Sequence, residues 1–149
     1  SLALFLFFVA SFSDFLDGHL ARKTDSVSVL GEILDPIADK LLIVFVLIGL
    51  SINLNSFLIG FISAVIISRE IWVAALRDIN SRNNQSDKTK VTFLAKTKTA
   101  IQMLSILMYL FGLTINNMMV LFFADIILII ALLVTIQTGF QYTISTFKK

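Results

Sequence analysis

The chain has 149 residues, of which 57% are hydrophobic and only 15% are charged, with a formal net charge of +2. Soluble domains average about 45–50% apolar and about 25% charged residues, so this composition favours a protein embedded in lipid. The sequence has no cysteine and a single histidine, His19. It therefore excludes disulfides and thiolate chemistry, and also a histidine-based metal cage or a Ser-His-Asp triad.

Five apolar segments predict an all-α fold, a polytopic transmembrane helix bundle. In chain order they are residues 1–13 (continuing as a helix through residue 22), 33–50, 56–76, 97–113 and 118–138. The chain opens directly on an apolar run, without the basic start or the cleavage pattern of a signal peptide. We therefore expect residues 1–149 to be a single membrane-embedded domain that is truncated at its N-terminus, with five helices present and a sixth missing.

The lysines and arginines predict how this bundle is oriented. The short connections 51–55 and 114–117 contain neither residue, whereas the polar linker 78–96 and the C-terminal tail contain several. Basic residues flank membrane helices on the cytoplasmic side, so the linker and the C-terminus are expected to face the cytoplasm. Such juxtamembrane charges contact anionic lipids, and nothing in their pattern indicates nucleic-acid binding.

Four aspartates lie in two pairs near the predicted cytoplasmic side: Asp14, Asp17, Asp35 and Asp39. The first two are three residues apart and the last two are four apart, so each pair shares one face of its helix. The intervening loop is short, so the two helices are expected to be antiparallel and the pairs to converge. An ionised carboxylate costs roughly 3 kcal/mol at membrane depth, and one or two divalent cations would neutralise the four. Oxygen ligands favour Mg²⁺, Mn²⁺ or Ca²⁺.

Neighbouring residues suggest room for a phosphorylated ligand beside these carboxylates. Gly18 and Ala21 leave space against the helix, and Arg22 can donate to a phosphate as a planar group. A second basic group further along the chain predicts an anion pocket; it comprises Arg69, Arg77, Lys96 and Lys98. For Arg69 and Glu70, a structural ion pair is nearly as plausible as substrate contact. The sequence indicates no role for Asp125 in the last helix.

The aspartates belong to a longer pattern: Asp14-x2-Asp17-Gly18-x2-Ala21-Arg22-x8-Gly31-x3-Asp35-x3-Asp39. All eight specified positions match the signature of the CDP-alcohol phosphatidyltransferase family, which the chain therefore resembles. Three further stretches, 34–40, 68–78 and 95–100, are similar to the branch of that family whose acceptor alcohol is glycerol 3-phosphate.

The resemblance implies an enzyme that transfers the phosphatidyl group of CDP-diacylglycerol to glycerol 3-phosphate and releases CMP. It also implies a homodimer in a bacterial-type inner membrane. It places two Mg²⁺ or Mn²⁺ ions on Asp14, Asp17, Asp35 and Asp39, and makes Asp39 the general base as well. It assigns contacts with the CDP moiety to Gly18, Ala21 and Arg22. It assigns the acceptor phosphate to Arg69, Arg77, Lys96 and Lys98.

Three alternatives remain open from the sequence. Relatives with the same signature use other acceptors, namely inositol phosphate, serine or phosphatidylglycerol. An intramembrane prenyltransferase also pairs aspartate motifs with Mg²⁺, although it lacks the Gly-x-x-Ala-Arg element. A divalent-cation transporter would need carboxylates near the middle of the bilayer, whereas these lie at the ends of their helices.

Overall fold

A computed structural model describes the backbone of residues 29–89 and 93–148. This part of the chain forms four α-helices and contains no β-strand. The helices are α1 (Val29–Asn53), α2 (Phe57–Arg82), α3 (Phe93–Ile115) and α4 (Met118–Phe147), with a short 3₁₀ helix (Ser86–Thr89) between α2 and α3.

Three of these helices are long and apolar enough to cross a membrane: α2, the Thr97–Ile115 part of α3, and α4. The Lys40–Asn53 part of α1 forms a shorter apolar helix. The prediction of an all-α membrane bundle is therefore confirmed. The predicted segment 1–13 lies outside the described residues.

All four helices run further than their predicted apolar segments, α2 and α4 by the most at their C-terminal ends. Helix α2 continues from residue 76 to Arg82, and α4 continues from residue 138 to Phe147. The difference arises because hydropathy reports which residues suit the hydrocarbon core, whereas a helix can continue into water where its backbone stays hydrogen-bonded. The predicted boundaries therefore marked the apolar stretches and not the helix ends.

Asparagine residues make the sharp turns that connect these helices. Asn55, Asn84 and Asn116 have positive φ angles of 47°, 56° and 51°. Asparagine tolerates this left-handed conformation better than most residues. The next helices are capped by Ser56, whose hydroxyl accepts from the Ile59 N–H, and by Asn117. The two short turns make α1 and α2, and likewise α3 and α4, antiparallel neighbours.

Helix α4 packs against both α2 and α3, and α1 packs against the same two helices. The buried face of α4 carries small residues: Ala124, Ala131, Thr135, Thr138 and Gly139. Small residues let membrane helices approach closely. The large apolar side chains on the outside of the bundle, such as Phe122, Leu133 and Phe140, are exposed. Such residues suit contact with lipid.

The connection between α2 and α3 is fastened to the end of α4. Ser145 Oγ donates to the Lys88 carbonyl at 2.9 Å, and Lys88 Nζ donates to the Lys148 carbonyl at 3.2 Å. Asn80 Nδ2 donates to Thr146 Oγ1 at 2.9 Å. These bonds hold the described part of the connection, and the end of α2, against the C-terminal end of α4.

Asp125, unexplained by the sequence, has a partner in the structure. The Tyr109 hydroxyl on α3 donates a hydrogen bond to its carboxylate, and Ser105 Oγ donates to the neighbouring Ala124 carbonyl at 3.0 Å. Tyr109 is 1% exposed, so its hydroxyl has little access to water. This polar layer joins α3 to α4 near the end of the bundle opposite the linker.

Replacing Tyr109 by phenylalanine is expected to destabilise the protein by about 1–3 kcal/mol, because the Asp125 carboxylate would lose this hydrogen bond within the membrane. Asp125→Asn should cost less, since its amide oxygen can still accept from the Tyr109 hydroxyl. Unfolding in a denaturing detergent series would measure both changes. Equal stability of Tyr109→Phe and the parent would contradict a stabilising role for the bond.

Candidate functional site

The predicted carboxylate site lies only partly within the described residues. Asp35 and Asp39 are four residues apart in the first half of α1, so the backbone places them on one helix face, as predicted. Their side chains are not described, and the remaining predicted residues of this region lie outside the described ranges: Asp14, Asp17, Gly18, Ala21 and Arg22. In the described part of the chain, no three acidic or histidine side chains form a group able to hold a metal.

The described side chains form a charged cluster around Glu70 on α2. Arg69 donates from NH1 to Glu70 Oε1 at 2.8 Å and from NH2 to Thr138 Oγ1 on α4 at 2.8 Å. Arg69 is only 9% exposed, so its charge is held inside the bundle. Burying a guanidinium is costly unless its charge is paired and its donors are bonded; Glu70 pairs the charge, and the two contacts bond one donor on each terminal nitrogen.

Two lysines from other helices join the same carboxylate. Lys98 Nζ on α3 donates to Glu70 Oε1, and Lys98 is 5% exposed. Lys40 Nζ on α1 lies 3.9 Å from Glu70 Oε2 and is more exposed. Glu70 therefore brings together cations from α1, α2 and α3, and Arg69 extends the cluster to α4.

The cluster borders a cavity of about 150 Å³ between α1, α2 and α3. An engineered cavity of about this volume holds a molecule as large as benzene. Its walls are both charged and apolar, and they consist of Lys40, Ile43, Val44, Ile66, Glu70, Lys98, Thr99 and Gln102. Its two lysines and one glutamate give the lining a net positive charge, which favours an anionic occupant. Thr99 and Gln102 add groups that can bond to hydroxyls.

Arg77 lies outside this cluster and contacts Tyr142 instead. Its Cζ atom is 5.6 Å from the centroid of the Tyr142 ring, and the Cζ atom of Arg69 is 5.8 Å from the same centroid. Both distances are within the range of cation–π attraction. The Nε atoms of Arg69 and Arg77 are buried and make no hydrogen bond to the described residues. The tyrosine ring is thus a shared support for two guanidinium groups.

Sequence reasoning found part of this site. The structure brings Arg69 and Lys98 together, as predicted, and it also contains the Arg69–Glu70 ion pair that was the alternative. It places Arg77 on Tyr142, and the side chain of Lys96 is not described. That these cations bind the acceptor phosphate stays a prediction.

Several contributors were missed, namely Lys40, Thr138 and Tyr142. Lys40 directly follows Asp39, and this adjacency was a usable signal for its closeness to the site. Thr138 and Tyr142 lie at or beyond the end of the last predicted segment, where hydropathy no longer indicated a helix. Their contacts with Arg69 depend on how α2 packs against α4, which local spacing does not encode.

The fold and this cluster define a polytopic membrane protein with a buried, positively charged cavity between its helices. The sequence model of the family described as CDP-alcohol phosphatidyltransferase matches residues 1–137. The chain belongs to the CDP-alcohol phosphatidyltransferase family, and the resemblance drawn from the signature is confirmed.

Curated relatives cover most of the chain. The CDP-diacylglycerol–glycerol-3-phosphate 3-phosphatidyltransferase of Haemophilus influenzae is 37% identical over 139 residues, covering 92% of this chain and 72% of the relative. The protein of the same name from Rickettsia bellii is 39% identical over 142 residues, covering 95% of this chain and 76% of the relative. A third relative of that name, from Rickettsia felis, is 39% identical over 142 residues, with coverage of 95% and 76%.

Proposed function

We propose that this protein transfers the phosphatidyl group of CDP-diacylglycerol to glycerol 3-phosphate, giving phosphatidylglycerophosphate and CMP. The names of the relatives support this substrate pair. The observation that carries the proposal is the cationic cavity, whose Lys40 directly follows Asp39 on α1. An acceptor held there by its phosphate would lie close to the helix face of the signature aspartates.

The donor set suits a hard divalent cation. Asp35 and Asp39 lie one turn apart on α1, and the signature adds Asp14 and Asp17, so the candidate ligands are all carboxylates. Carboxylates are the ligands that Mg²⁺ and Mn²⁺ prefer. We propose that these four residues hold two such ions, which would supply positive charge to the diphosphate of the bound nucleotide lipid.

The residues of the chain then have distinct roles in the proposed reaction. Asp39 accepts the proton of the acceptor hydroxyl, whose oxygen forms a bond to the phosphatidyl phosphorus. The bond from that phosphorus to the CMP oxygen breaks, and CMP leaves with the electron pair. We propose contacts with the CDP moiety for Gly18, Ala21 and Arg22. Contacts with the acceptor phosphate are proposed for Arg69, Arg77, Lys96 and Lys98.

The basic residues are unequally distributed between the two ends of the bundle. The described basic residues of the α2–α3 connection and the tail, Arg82, Lys88 and Lys148, lie at one end of the bundle. The turns after Asn53 and Ile115, at the other end, carry no lysine or arginine. This asymmetry supports an inner-membrane protein with its site and C-terminus in the cytoplasm. Within that membrane we propose a homodimer.

An acceptor panel tests the proposed function. The full chain in detergent micelles would be mixed with CDP-diacylglycerol and either glycerol 3-phosphate, serine, inositol phosphate or phosphatidylglycerol, and CMP release would be measured. We expect release with glycerol 3-phosphate and Mg²⁺ or Mn²⁺, and its loss when a chelator removes the cation. Release with another acceptor in place of glycerol 3-phosphate would overturn the proposed substrate, and full activity in chelator would overturn the proposed metal dependence.

A further inference from the structure

Glu70 is the point at which the cations of the cavity meet. Its Oε1 atom accepts from Arg69 and Lys98, and its Oε2 atom faces Lys40. Within residues 40–89 and 97–148, it is the carboxylate in ion-pair contact with each of these three side chains. One acidic residue thus sets the mutual position of cations from three helices.

The charge balance around Glu70 suits anion binding. Arg69 and Lys98 are almost fully buried, and two buried cations without a counter-charge repel each other. Glu70 cancels one positive charge and leaves the group of Arg69, Lys98 and Lys40 with an excess of two. A phosphate with two negative charges would complete this balance. A second carboxylate in the same place would halve this excess and weaken the attraction.

Lys40, Lys98 and Glu70 line the cavity, whereas Arg69 does not and reaches Thr138 on α4 instead. Arg69 uses two of its donors on Glu70 and Thr138, so its guanidinium is fixed from both sides. Lys98 gives one of its three N–H groups to Glu70 and lines the cavity. The carboxylate of Glu70 itself repels a phosphate, so any favourable effect it has on the ligand must pass through the cations that it holds.

We propose that Glu70 is a positioning residue for the acceptor phosphate: it holds the charge of Lys98 at the wall of the cavity, and its own carboxylate is fixed by Arg69. This inference rests on the proposed function, because it takes the cavity to be the acceptor site. It adds a role for an acidic residue within a site that binds an anion.

The first test compares Glu70→Gln with Asp78→Asn. Both changes turn a carboxylate into an amide on α2, but Asp78 is exposed and pairs with Arg82 away from the cavity. Glu70→Gln is expected to raise the KM for glycerol 3-phosphate about tenfold or more and to leave the KM for CDP-diacylglycerol within about twofold. Asp78→Asn should match the parent in both. A rise of both KM values together would indicate a general structural defect and overturn the positioning role.

A binding measurement tests the same inference without turnover. Inorganic phosphate should raise the thermal unfolding midpoint of the parent and of Asp78→Asn, since a ligand of the folded state stabilises it. Glu70→Gln should lose most of this shift. If the parent shows the shift but no transfer to glycerol 3-phosphate, the proposed function fails, and a lost shift in Glu70→Gln would still show that Glu70 positions the cations for a bound phosphate. If phosphate shifts Glu70→Gln as much as the parent, or does not shift the parent, the role of Glu70 is overturned.

A conservative variant and a double-mutant cycle extend this test. Glu70→Asp keeps the charge on a shorter side chain and should show a KM for glycerol 3-phosphate between those of the parent and Glu70→Gln. In a double-mutant cycle, Lys98→Met added to Glu70→Gln should raise that KM far less than Lys98→Met alone, because both act on one contact. Should Glu70→Gln fail to fold, Glu70→Asp decides: a parental KM and a parental phosphate shift would overturn the inference. The inference would also be overturned if Glu70→Gln and Lys98→Met raised the KM independently, so that their separate effects multiplied in the double variant.

Discussion

Replacing Asp39 by asparagine is expected to slow CMP release by about 10²–10⁴-fold, the range that general base catalysis contributes. The amide keeps the size of the side chain and a carbonyl oxygen that can still bind a hard cation, but it cannot accept the proton of the attacking hydroxyl. Binding of CDP-diacylglycerol should therefore survive largely intact. Rapid-quench measurement of CMP, together with equilibrium binding of the labelled lipid, would separate the two properties.

Asp125→Asn is the matched control for this substitution. It makes the same chemical change in a membrane helix, at the Tyr109 hydrogen bond that joins α3 to α4. The turnover of Asp125→Asn should stay close to that of the parent, because neither Asp125 nor Tyr109 lines the cavity. Turnover near the parental rate in Asp39→Asn itself would remove Asp39 from the proposed chemistry.

Local spacing was enough to predict the helix face that carries Asp35 and Asp39. A helical repeat of 3.6 residues places positions four apart side by side, whatever the rest of the bundle does. The membrane segments followed from composition in the same way, since a run of about 20 apolar residues spans a bilayer. Both inferences use information contained within one stretch of chain.

The sequence grouped Arg69 with Lys98 and allowed an Arg69–Glu70 ion pair, but local spacing could not give the full cluster around Glu70. Adjacent residues on a helix do not normally face each other, so the contact between Arg69 and Glu70 depends on the reach of the arginine side chain. The partners Lys98 and Thr138 follow Glu70 by 28 residues and Arg69 by 69 residues, respectively. Their convergence is set by the axial register of α2 against α3 and α4. That register depends on packing and on the fastening of the linker to the tail.

Arg69→Lys is expected to raise the KM for glycerol 3-phosphate about tenfold or more, although the positive charge is retained. Arginine bonds Glu70 and Thr138 at the same time through two nitrogen atoms of one planar group. The ammonium of lysine is a single point on a differently shaped stem, so it can satisfy one partner only by leaving the other. The lost contact would also weaken the attachment of α2 to α4, and the thermal unfolding midpoint should fall.

Arg82→Lys is the matched control, since it makes the same exchange on α2. Arg82 pairs with Asp78 across one helical turn, and both side chains are mostly exposed. Exposed ion pairs contribute roughly 0–1 kcal/mol, so this variant should retain the parental KM and stability. Helix α4 is packed closely against the side chain of Arg69, since a Cβ atom on Gly139 would lie 3.2 Å from Arg69 Cγ. A new side chain therefore has little freedom to move toward Glu70 and Thr138 together. Equal KM values for Arg69→Lys and Arg82→Lys would show that charge alone matters at this position, and would overturn the geometric role assigned to Arg69.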